Sequence, residues 1–86
     1  MKDIQPKEPG AAIADERRRL RRVWLVVDLV GAVLAQQHPL SRSEANRLIE
    51  QARTAATSLI PGTGNTFDLI IRPRYERILR ERGIVA

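Results

Sequence analysis

The chain has 86 residues, with 15 Lys+Arg against 10 Asp+Glu and a formal charge of +5. That length allows one domain and leaves little core from which to carve a large substrate pocket. The absence of cysteine excludes disulfides, thiolate metal sites and cysteine nucleophiles, and 43% hydrophobic residues exclude a wholly disordered chain.

Thirteen of the 15 basic residues are arginine. Most are interleaved with acids, so the charge reads as a soluble surface before it reads as a binding stripe. The one dense run is Arg17 to Arg22.

Residues 1–10 contain two prolines and a glycine among mixed charges, which predicts a flexible tail. Residues 11–86 form the single expected domain. Ala11 to Gln37 contains no proline and predicts one long helix, with Asp15 and Glu16 near its positive end. Its first half, DERRRLRR, is charged on nearly every face. Its second half, VWLVVDLVGAVLA, is apolar on nearly every face. On a helical wheel Val23, Val26, Val27, Val30, Val33 and Leu34 make one broad apolar face. Asp28 lies near the centre of the opposite face with Arg21, Ala32 and Ala35, and Trp24 and Leu25 flank it. A surface helix carries an apolar stripe a little over ~100° wide. This helix exceeds that and needs cover on more than one side.

His38-Pro39 ends the first helix, because proline disfavours helical geometry at the preceding residue. Ser41-Arg42-Ser43-Glu44 is a capping box opening the second helix. There Ala45, Leu48, Ile49, Ala52, Ala55, Ala56 and Leu59 recur at three- and four-residue steps, and Pro61-Gly62 stops it. Asn65 or Thr66 is the expected cap of a third helix. Phe67, Ile71, Tyr75 and Ile78 form its stripe, with Leu79 beside it and Leu69 and Ile70 off it. Pro73 predicts a kink or a division there, with a short strand over TFDLII as the lesser alternative. Gly83 is the expected C-terminal cap residue. The fold class is all-α, a small three-helix bundle. Its expected core is Val23, Val27, Val30, Leu34, Leu48, Ile49, Ala52, Leu59, Phe67, Ile71, Tyr75 and Ile78.

The apolar run after Arg17–Arg22 resembles an export signal, but it is shorter than the ~20 residues of a membrane span, and Asp28 interrupts it. No transmembrane span is expected, and the expected location is cytoplasmic. The Gly62-Thr63-Gly64 loop lacks the lysine and the strand of a phosphate-binding loop and reads as an interhelical turn. His38 is the lone histidine, with no serine or carboxylate set beside it by helical spacing. No catalytic, metal or cofactor residues are assigned, and the protein is expected not to be an enzyme.

Two functional readings remain. The first is a small protein-interaction module, a homodimer or the partner of another protein, that self-associates through Trp24, Leu25, Asp28 and Ala32. A monomer would leave these beside one another on the surface. The second is a nucleic-acid-binding regulator. There Arg17, Arg18, Arg19, Arg21 and Arg22, with Arg74 and Arg77 of the C-terminal helix, would contact phosphates. Glu76–Arg80 and Arg77–Glu81 are i,i+4 pairs that argue for self-neutralisation on that C-terminal helix.

Overall fold

A computed structural model describes residues 9–36 and 38–84. All its elements are helical, in the order α1 (Pro9–Ala35), α2 (Arg42–Leu59) and a third helix, α3, over residues 64–81. The third helix is joined from three contiguous pieces: Gly64–Thr66, a π-helical turn Phe67–Ile71, and Arg72–Glu81. Of the expected tail, residues 1–8 lie outside the described residues. Pro9 and Gly10 belong to α1, because proline is tolerated in a first helical turn. The helix therefore begins two residues earlier than predicted, and Asp15 and Glu16 stand beyond its first turn. It ends at Ala35, short of the predicted Gln37, which lies outside the described residues.

The capping box of α2 forms in full. Glu44 N–H donates to Ser41 Oγ at 3.0 Å, and Ser41 N–H donates to Glu44 Oε1 at 2.8 Å. The Ser41 backbone N–H, with its hydroxyl second, holds the Glu44 carboxyl below the usual carboxylate range. The expected cap of the third helix does not form. Thr63, not Asn65 or Thr66, holds the cap position, and its hydroxyl donates to Ile60 O at 2.8 Å without capping the helix.

The division expected near Pro73 takes the form of the π turn immediately before it. Pro73 has no N–H, and its ring would crowd the carbonyl four residues earlier in a regular helix. The wider turn, closed by Arg72 N–H donating to Phe67 O, relieves that crowding while the chain stays helical. TFDLII is therefore helical, not extended. The same turn re-phases the apolar face. Phe67, Ile71, Tyr75 and Leu79 are all buried, at a repeat of four, whereas Ile78 is only half-buried. Leu79 thus replaces Ile78 in the predicted core.

The three helices run up, down and up. Tyr75 lies against Val27, and Arg82 against Leu34, so α3 is parallel to α1. Arg53 meets Asp68, and Arg42 meets Glu76, so α2 is antiparallel to α3. Val27 and Leu34 from α1 meet Ala45, Ile49, Ala52 and Ala56 from α2 and the four buried residues of α3. The alanines of α2 let the helices approach closely. Val23, Val30 and Leu48 are half-buried against this core, and Leu59 is half-buried too.

Polar ties lock the outer seams. Arg42 donates to both Glu76 oxygens, at 2.8 and 2.6 Å. Glu76 thus bonds across to α2, not to Arg80 as expected. The Arg42 guanidinium holds the Glu76 carboxyl below its ordinary range. Arg53 grips Asp68 at 3.0 and 3.2 Å, and Arg72 bridges Asp68 and Glu50. Gly83 takes a left-handed φ of 77°. Ile84 N–H donates to Leu79 O and Gly83 N–H to Arg80 O, a Schellman ending. Arg82 then reaches back to α1, donating to Leu34 O at 2.7 Å and to His38 O.

Candidate interaction surface

The 27 residues of α1 extend about 40 Å, and the bundle covers only part of that length. From Gly10 to Arg22 no residue is buried. From Val23 onward the valine face turns into the core, and the opposite face meets solvent.

All four predicted self-association residues lie on that exposed side. Trp24 is 43% and Leu25 59% exposed, and Asp28 and Ala32 are exposed as well. Two leucines outside that predicted set are exposed as well, Leu29 at 57% and Leu20 at 48%. Leu29 follows Leu25 by one turn and precedes Ala32 by three residues. The signal was present in that four-then-three spacing, obscured by the valines around it. Large apolar side chains are thus left uncovered through the most hydrophobic stretch of the chain. Exposed apolar side chains gathered on one helix are consistent with an interaction surface.

Trp24 borders two hollows. On its outer side a shallow depression is lined by Arg17, Leu20, Arg21, Trp24, Leu25 and Asp28. On its inner side an apolar cleft of about 130 Å³ runs between α1 and the π turn, where Leu20, Val23 and Trp24 face Phe67 and Ile70. Leu69 and Ile70, expected to fall off the α3 stripe, are exposed. Both belong to the π turn, and Ile70 lines the cleft.

Asp28 makes no ion pair among the described residues. Its charge is still felt at Tyr75, which donates its hydroxyl to Val27 O at 2.7 Å. Burial pushes the Tyr75 hydroxyl up to about 12, with Asp28 adding to the rise and Arg74 opposing it. Arg74 lines the same small pocket as Asp28 and Tyr75.

The arginines divide into two populations. Arg42, Arg53, Arg72 and Arg82 are committed to seams between helices. Arg17, Arg18, Arg19, Arg21 and Arg22 stand exposed on the uncovered half of α1. There Arg18 and Arg19 share Asp15 at 3.2 and 3.0 Å. Arg74 and Arg77 are exposed on α3, and Arg77 lies 3.9 Å from Glu81. Because α3 is parallel to α1, Arg74 lies level with Asp28 and Gly31, further along α1 than Arg22. The structure does not set Arg74 and Arg77 beside Arg17–Arg22.

Among the described residues no group of three or more His, Asp or Glu is placed to hold a metal ion, and no helix is long and apolar enough to cross a membrane. Comparison with protein-family models, with curated proteins and with solved structures gives no match.

Proposed function

We propose that the protein is a small non-catalytic, cytoplasmic interaction module that self-associates through the outer face of α1. The observation that carries this reading is the uncovered run of Trp24, Leu25 and Leu29 on the helix whose other face builds the core. Covering those side chains removes apolar surface from water at a gain of about 25 cal/mol per Å². A second copy of the same surface is the commonest way such faces are covered. Trp24 supplies the kind of large, rigid side chain that anchors an interface.

The test is sedimentation of the wild type beside Leu25→Glu. The wild type should associate in the micromolar range. Leu25→Glu should weaken association at least about tenfold with helix content unchanged, because Leu25 is outside the core. A wild type that stays monomeric at high micromolar concentration would overturn the reading.

Nucleic-acid binding is the second reading. It is favoured by the exposure of Arg17, Arg21 and Arg22 and by their lack of ion pairs among the described residues. A salt titration against mixed DNA decides it. Phosphate-dominated binding falls steeply as salt rises, and absence of binding at low salt removes this reading.

A further inference from the structure

We infer that the partner on the outer face of α1 is a second copy of this chain lying antiparallel to it, with the twofold axis between Trp24 and Leu25. The inference rests on the self-association proposed above and adds its geometry. Arg21 and Asp28 are seven residues apart, two helical turns, and share the centre line of the exposed face about 10 Å apart. Trp24 and Leu25 lie between them, one on each side of that line. Trp24 is 43% and Leu25 59% exposed, and both Arg21 and Asp28 are exposed without an ion pair among the described residues. Arg74 shares a pocket with Asp28 without coming within ion-pair distance.

An isologous interface pairs each contact with its reciprocal. In the antiparallel arrangement Arg21 faces Asp28 of the second copy, and Asp28 faces its Arg21. Trp24 then meets the second Trp24 on one flank of the axis, and Leu25 meets the second Leu25 on the other. In a parallel arrangement Arg21 would face Arg21 and Asp28 would face Asp28. That arrangement would also lay the two Arg17–Arg22 segments side by side. The antiparallel arrangement sends those segments to opposite ends. Like charges held together across an interface oppose association, so the charge pattern selects orientation even where each exposed pair adds little affinity.

Charge reversal tests this. Arg21→Asp alone and Asp28→Arg alone should each weaken association by about tenfold, since each replaces two attractive pairs with two repulsive ones. The double variant Arg21→Asp/Asp28→Arg should recover wild-type association. Helix content by circular dichroism should be unchanged throughout, because both positions are outside the core. The cysteine-free sequence permits a second readout. Under oxidation Leu25→Cys should cross-link to itself, whereas Ala32→Cys, about 10 Å from the axis, should not. A dimer whose association ignores the single reversals, or in which Ala32→Cys cross-links as readily as Leu25→Cys, overturns the antiparallel geometry and leaves self-association standing. A monomeric wild type overturns both.

Discussion

Arg82 closes the bundle, and removing it has a calculable consequence. Its guanidinium donates to Leu34 O at 2.7 Å and to His38 O, joining the end of α3 to the end of α1. Leu34 O belongs to the last turn of α1, where carbonyls lack intrahelical donors and a cation is favoured. A hydrogen bond from a charged donor contributes about 1.5–3 kcal/mol when buried. Arg82 is half-buried, and solvent screens the pair, so Arg82→Ala should cost about 1–2 kcal/mol in total. A domain of this size shifts by about 4–8 °C per kcal/mol, which places the expected fall in Tm at about 5–15 °C. Arg82→Lys should recover only part of it, because one ammonium cannot present the guanidinium fork to both carbonyls. Arg80→Ala is the control, since Arg80 is exposed and should move stability by no more than about 0.5 kcal/mol. The assay is thermal and urea unfolding followed by far-ultraviolet circular dichroism, at one fixed protein concentration because association shifts Tm. Equal stabilities of Arg82→Ala and Arg80→Ala would mean that Arg82 does not tie α3 to the end of α1.

Three other expectations follow from the same contacts. Leu79 is fully buried and Ile78 only half-buried, so Leu79→Ala should cost about 2–5 kcal/mol in urea unfolding and Ile78→Ala distinctly less; equal costs would mean that the π turn does not set the phase of α3. The Glu76 carboxyl titrates below its unfolded value of 4.5 because Arg42 grips it, so its stabilisation is fully present above that pH and is lost as pH falls through the folded value. Glu76→Gln should therefore be less stable than the wild type at neutral pH, with the gap narrowing below about pH 4.5. Tyr75 is raised, chiefly by burial, from 10.0 to about 12, so the stability it contributes is fully present below pH 10 and is lost as pH rises towards 12. As the sole tyrosine it can be followed by ultraviolet difference absorbance, and a folded-state midpoint at 10 would contradict its burial.

The legible parts of the structure are those written in local signals. Ser41 and Glu44 announce α2 three residues apart, and Gly83 announces the end of α3, because caps depend only on near neighbours. The valine face of α1 declares itself by period. The π turn was harder to read: Pro73 says that something must yield, but the choice between a break and a wider turn depends on keeping Phe67, Ile71, Tyr75 and Leu79 on one core. That is a tertiary demand. The same holds for Glu76, whose local partner Arg80 loses to Arg42, thirty-four residues away in sequence, because the α2–α3 seam presents a bidentate partner. Trp24, Leu25, Asp28 and Ala32 were legible as one face. Leu20 and Leu29 joined it only when the bundle left them uncovered.

The most direct test of self-association is sedimentation velocity of the wild type from low to high micromolar concentration, with Leu25→Glu run beside it. The wild type should show a monomer–dimer shift over that range, and Leu25→Glu a shift displaced to higher concentration. A wild type that sediments as a monomer throughout would contradict self-association.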